Sequence, residues 1–197
     1  MQSRLFCALI SALALFLTPN YACADMGLPM LAVVWPGAWI LLLPIIILEA
    51  TIARRVLDIN WKRSLKISAA ANVASTIAGI PIIWLGMLLP LWVIGAIIFY
   101  LPLPENVKLY LMIPFYAIWL PPISEKQSWM IPLSAAILCI PFFYASFKIE
   151  TVVVRRMLSD FRIEEIKKWA WKANLYSYIA IISVLVTLTL WTFLSSV

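Results

Sequence analysis

A set of acidic, basic and amide side chains occurs twice in the chain. The first copy reads E-A-T-I-A-R-R-V-L from Glu49, followed by A-N-V-A-S from Ala71. The second reads E-T-V-V-V-R-R-M-L from Glu150, followed by A-N-L-Y-S from Ala173. Glu49, Arg54, Arg55, Leu57, Ala71, Asn72 and Ser75 thus match Glu150, Arg155, Arg156, Leu158, Ala173, Asn174 and Ser177, with a one-residue slip between the Glu-Arg-Arg part and the Asn part. Both copies lie in apolar surroundings, where a carboxylate costs roughly 2–3 kcal/mol or more and must be paired, hydrated or protonated. An Asn amide can donate two hydrogen bonds to it, and Ser75 or Ser177 stands one turn further along the same helix face. Two chemistries are open. One is an interhelical clamp of Glu with Asn, at roughly 1 kcal/mol. The other is a polar site for a cation, a proton or a small substrate on an axis between the copies. Duplication of the whole pair favours the clamp, because one site rarely needs two complete copies; a single site shared by both copies stays open.

The elements that must position these residues are membrane helices. The chain is 64% hydrophobic and 12% charged, with mean hydropathy +0.99, against roughly 25% charged residues in soluble domains. This predicts an all-α, polytopic helical membrane protein. The first mature helix is expected over Met30–Leu57, longer than the ~20 residues that cross a bilayer, with Pro36 and Pro44 inside it. A loop Asp58–Arg63 follows, then a second helix from Ser64 through Asn72 and Ser75 to about Leu89. Pro81, Pro90, Pro102, Pro104 and Pro114 are expected to cut the apolar stretches Ile82–Leu101 and Val107–Leu120 into short pieces, making zero or two further crossings. Pro121–Ser128 is a polar loop, Trp129–Leu158 the next long helix, and Ile163–Phe193 the last. The expected layout is a cleaved signal peptide over 1–24, a first helix-pair repeat over 25–89, a Pro-rich apolar middle segment over 90–128 and a second helix-pair repeat over 129–197.

Depth follows from rise per residue. Glu49 precedes Arg54 by five residues, about 7–8 Å along a helix, and Asn72 follows Lys66 by six, about 9 Å. Each Glu should therefore meet its own Asn at one level. The four long transmembrane helices should form two parallel repeats related by a rotation of about 180° around the membrane normal. The Asn-bearing helices are expected to pack through Ala71 and Ala78, and through Ala173 and Ala180, since small residues let helices approach.

The N-terminus reads as an address: Arg4, the apolar run Leu5–Leu17, and small residues at Ala22-Cys23-Ala24, with cleavage expected before Asp25. Cys7 and Cys23 leave with the signal, so Cys139 is a packing residue. Arg54, Arg55, Lys62, Arg63 and Lys66 cluster after the first helix. Lys148, Arg155, Arg156, Arg162, Lys167, Lys168 and Lys172 cluster between the last two. The positive-inside rule puts both clusters in the cytoplasm and both mature termini in the periplasm. Arg54, Arg55, Arg155 and Arg156 serve as topology determinants or lipid-phosphate contacts. The run Lys167–Lys172 reads as an interfacial belt in which Trp169 and Trp171 face the membrane surface.

No histidine is present, and no phosphate-binding loop, dinucleotide fingerprint or nucleophile elbow occurs. No catalytic residue, metal site or cofactor is therefore assigned, and an enzyme is not expected. Membrane lipids are the expected partners. A protein partner on the basic loops and a homo-oligomer remain open, and nucleic acid is excluded. The leading functional expectation is a non-enzymatic scaffold or accessory subunit of the bacterial inner membrane; the alternative is a small transporter or channel using Glu49, Asn72, Glu150 and Asn174.

A resemblance is carried by the order of signal peptide, A-D-M-G-L-P-M, I-L-E-A, A-N-V-A-S-T-I-A-G-I-P, W-L-P-P, W-M-I-P and F-F-Y-A-S-F-K-I-E. It is similar to a group of small uncharacterised bacterial polytopic inner-membrane proteins. The resemblance covers most of the mature chain and implies a membrane architecture, with no activity, substrate or cofactor attached.

Overall fold

The computed structural model describes residues 36–115 and 127–196. The signal peptide with its Ala22-Cys23-Ala24 site, Asp25, the expected helix start at Met30, most of the Pro121–Ser128 loop and Val197 lie outside the described residues. Among the described residues the chain is all-helical. Helix α1 is Pro36–Leu57 and α2 is Trp61–Ala74, continued by a π-helical turn, Ser75–Gly79, into α3, Ile80–Tyr100. A short α4, Glu105–Leu111, precedes α5, Met130–Met157, and α6, Ile163–Ser196.

Four helices form a closed ring in the order α1, α2, α5, α6, each packing on its two neighbours. Their buried positions follow helical spacing: Ile46, Glu49, Ala50, Ala53 and Leu57 on α1; Glu150, Thr151 and Val154 on α5. On α2 the buried face is Ser64, Ile67, Ser68, Ala71 and Asn72, and on α6 it is Ile166, Trp169, Ala170, Ala173 and Asn174. Alanines and serines recur on the α1, α2 and α6 faces, which lets the backbones come close. In this ring α2 and α6 lie on a diagonal without extensive contact. The expected packing of the Asn-bearing helices through Ala78 and Ala180 is therefore overturned; both alanines are exposed.

The apolar core sits at the basic end of the ring. Ala53, Leu57, Ile59, Ile67, Val154, Leu158, Ile166 and Trp169 are all buried there. Tight turns close this end. Asp58 adopts φ 50°, a left-handed conformation that Asp tolerates better than most residues. The Asn60 side chain then caps α2 by accepting from the Arg63 amide at 2.9 Å, so α2 begins at Trp61, three residues before the expected Ser64. The two turns are tied by Arg63, whose guanidinium donates to both oxygens of Asp160 at 2.9 and 3.1 Å. This pair is about half exposed and contributes about 0–1 kcal/mol.

Pro81 and Pro90 do not cut the middle of the chain. The run Trp61–Tyr100 is one helical rod of 40 residues, ending beyond the expected Leu89. Its wide π turn comes just before Pro81, which stands at the start of α3. A π turn shifts the backbone pairing by one residue, so the missing Pro81 amide falls where the ladder is already interrupted. Gly79 ends that turn close to α5; a Cβ there would meet Ile149 Cδ1 at 3.2 Å. Pro90 removes one further hydrogen bond, which an otherwise apolar helix tolerates. Beyond the ring, α3 rests on α5 and the returning segment through Trp84, Met87, Leu91, Phe115 and Leu138. Lys108 on α4 donates to the Phe99 carbonyl at 3.2 Å and so caps the end of α3.

Three helices among the described residues are long and apolar enough to cross a membrane: Trp61–Tyr100, Met130–Met157 and Ile163–Ser195. Their outer faces carry Leu85, Leu89, Trp92, Val184 and Leu190, each well exposed, a far larger apolar surface than a soluble monomer presents.

Candidate functional site

One layer above the basic-end core, the ring carries its polar side chains. Glu49 and Glu150 are each 1% exposed, and Asn72, Asn174, Ser75 and Ser177 are buried with them. Asn72 Nδ2 donates to Glu49 Oε2 at 2.5 Å, and Asn174 Nδ2 donates to Glu150 Oε2 at 2.6 Å. Each amide gives its second proton to a carbonyl one turn back, that of Ser68 or of Ala170, at 2.9 Å. These are the Glu–Asn pairs expected from rise per residue.

The serines do something the spacing did not reveal. Ser177 Oγ lies 2.6 Å from Glu49 Oε1, and Ser75 Oγ lies 3.1 Å from Glu150 Oε1. Each Glu is therefore held by the Asn of its own copy and the Ser of the other. Helix geometry explains the exchange. Three residues turn an α-helix by about 300°, so Ser177 points about 60° away from Asn174. On α6, which touches both α5 and α1, the Asn faces α5 and the Ser faces α1; α2 does the reverse. Each serine also approaches its own helix, Ser177 Oγ to Ala173 O at 2.8 Å and Ser75 Oγ to Asn72 O at 3.1 Å. A hydroxyl holds one proton, so it donates either to the carboxyl or to the carbonyl; a proton on the carboxyl would let both contacts stand.

Trp169 is the second residue that the sequence misplaced. It is fully buried, and its Nε1 donates to the Glu49 carbonyl at 3.3 Å. The expected interfacial belt does not hold for Trp169, which belongs to the core; Trp171 is 42% exposed and meets Phe143 edge-on at 4.8 Å. Two residues are about 200° apart on a helix, so one run of Lys and Trp serves two environments. Cys139 is a buried free thiol on α5.

The polar layer borders a cavity of about 160 Å³, room for a few waters at ~30 Å³ each. Besides the two Glu, two Asn and two Ser, its walls include Leu42, Ile45, Phe142 and Ile181. Tyr178 and Ser146 also line it, and their hydroxyls lie 3.0 Å apart. Leu42 and Ile45 precede Glu49 on α1, while Thr76 and Ile80 follow Asn72 on the α2–α3 rod, so the cavity extends away from the basic turns. On the opposite side the core around Ile67, Val154 and Trp169 separates it from those turns. Among the described residues no three His, Cys, Asp or Glu side chains converge as metal ligands would.

Arg54, Arg55, Arg155 and Arg156 are all exposed at the basic end and take no part in the polar layer. The site is thus a buried ring of amide, hydroxyl and carboxyl groups in a helical bundle, compatible with an integral membrane protein. No family model matches the chain, and no curated protein or solved structure matches it.

Proposed function

We propose that the chain is a non-enzymatic integral protein of the bacterial inner membrane, serving as a scaffold or accessory subunit. The observation that carries this reading is the mutual satisfaction of the polar layer. Every carboxyl oxygen of Glu49 and Glu150 has an Asn amide or a Ser hydroxyl within hydrogen-bonding distance, and the ring is packed shut between that layer and the basic turns. Groups arranged this way hold four helices together. In this reading α1, the α2–α3 rod, α5 and α6 are four crossings built from two parallel helix-pair repeats.

The orientation has its own test. With the signal removed and the Arg-Lys turns in the cytoplasm, an alkaline phosphatase fusion after Val197 is expected to be active, and one within Asp58–Arg63 inactive. The opposite pattern rules out this topology. Purification from native membranes is expected to bring down a protein partner in fixed stoichiometry. The second reading, a small transporter, draws on the cavity beside two carboxyls. Proton or cation flux into proteoliposomes that disappears in E49Q/E150Q would establish that reading and overturn the scaffold.

A further inference from the structure

The two basic turns are not equivalent. The second carries acids that take part in the ion pairs at this end: Asp160 is held by Arg63 from the first turn, and Arg162 pairs with Glu165 at 3.2 Å, while Arg155 and Arg156 take no ion pair among the described residues. Helix α6 opens with Glu164 and Glu165 in its first turn, whereas α2 opens with no acid at all. A positive helix start without its own carboxylates favours an external anion. At that same turn lies a pocket of about 650 Å³ lined by Thr51, Arg54, Arg55, Asp58, Asn60 and Trp61, together with the Ile59 side chain. Neither Arg54 nor Arg55 takes an ion pair among the described residues.

We propose that this pocket holds the phosphate of an anionic phospholipid from the cytoplasmic leaflet. Arg54 and Arg55 supply guanidinium forks suited to phosphate oxygens. Trp61 lines the same pocket, and its first-turn amide has no acceptor within the helix. Asp58, the one carboxylate lining the pocket, repels a bare phosphate and accepts a hydrogen bond from a headgroup hydroxyl, so a glycerol headgroup fits better than a phosphate alone. The apolar part has its own track. Leu43 and Ile47 are exposed on α1, and together with Thr51 and Arg55 they form one i, i+4 row leading from the pocket into the apolar zone. Trp61, 39% exposed at the start of α2, sits where an interfacial indole meets lipid headgroups. A free phosphate would use the pocket but not that row. The proposal rests on the membrane reading of the fold and is independent of the scaffold role.

The test is native mass spectrometry of the full chain released from detergent with phosphatidylglycerol present, next to the same chain with inorganic phosphate. The expected result is a retained phosphatidylglycerol that falls at least about fivefold in R54Q/R55Q and less than about twofold in R155Q/R156Q, which removes equal charge from the other turn. Equal losses in the two variants overturn the proposal, because general charge attraction would explain them. Displacement of the lipid by millimolar inorganic phosphate also overturns it, assigning the pocket to the free anion. The variant R54K/R55K keeps the charges that orient the turn and removes only the planar fork, so it reads binding even where the glutamine pair disturbs insertion. It is expected to lose about threefold, and full retention overturns the proposal. A failed topology test would leave the chain misoriented in reporter fusions, a result that is separate from any change in lipid retention.

Discussion

Replacing Glu49 with leucine is expected to deplete the folded protein, while replacing it with glutamine leaves most of it intact. Glu49 accepts from Asn72 on α2 and Ser177 on α6, so it ties three helices. Leucine removes both acceptors. Ser177 can fall back on the Ala173 carbonyl, but one amide proton of Asn72 is left buried without a partner, a loss of about 1–3 kcal/mol. Leucine also inserts into lipid more readily than glutamate, but that gain is already present in the separate inserted helices and does not offset the loss on assembly. Glutamine keeps both contacts: its oxygen accepts from Asn72, and one amide proton goes to Ser177 Oγ, whose own proton goes to Ala173 O, so Asn72 stays satisfied and only one glutamine amide proton is left over. The measurement is the monodisperse fraction of membrane extract after a heat step. Equal depletion in both variants would show that the charge itself is needed and would remove the clamp as the explanation.

The largest single loss is expected for Trp169→Ala. The indole is fully buried at the meeting of α1 and α6 and donates to the Glu49 carbonyl at 3.3 Å. Truncation of a buried Trp costs about 3–5 kcal/mol through lost packing and the void left behind. Trp169→Phe keeps most of the ring volume and gives up mainly the hydrogen bond, so it is expected to lose about 1 kcal/mol. Trp171→Ala is the control. That ring is 42% exposed, so its truncation is expected to cost less than half as much. Thermal unfolding in detergent, followed by intrinsic fluorescence, orders the three variants; a Trp171→Ala loss as large as that of Trp169→Ala contradicts the packing described for α6.

Much of the polar layer was legible because depth along a helix depends only on residue number and rise. Glu49 and Asn72 were placed at one level by counting from Arg54 and Lys66, as were Glu150 and Asn174. Azimuth was not legible. Which neighbour Ser177 faces depends on the cyclic order of the helices, and nothing in a single sequence sets that order. The same lack hid Trp169. In K-K-W-A-W-K both indoles have the composition of an interfacial belt, and only the direction of α6 within the ring distinguishes them. The α2–α3 rod was expected only as far as about Leu89, its run past Pro90 to Tyr100 was missed, and the way Pro81 is accommodated inside it was not legible either. Pro81 is a helix breaker by its missing amide and ring, but the π turn at Ser75–Gly79 moves the interruption to where Pro81 does little harm. That compensation lies in backbone geometry that no residue type announces. The expected close packing at Ala78 and Ala180 failed because small residues permit approach without requiring it.

The exchange of serines has a consequence for biosynthesis. Glu49 and the residue that completes its second oxygen are 128 positions apart, and at roughly 5–20 residues per second that separation corresponds to about 6–26 s of translation. During that interval the first pair of helices can close the Asn72 contact, but Glu49 Oε1 has no serine to receive. Ser75 likewise waits for Glu150. The nascent chain thus carries two half-finished acids until its last helix arrives, and α6 acts as the closing member: one helix delivers Asn174 to Glu150, Ser177 to Glu49 and Trp169 to the gap beneath them. A chain stopped before α6 would hold an open acidic side chain within reach of the machinery that surveys unfinished membrane proteins.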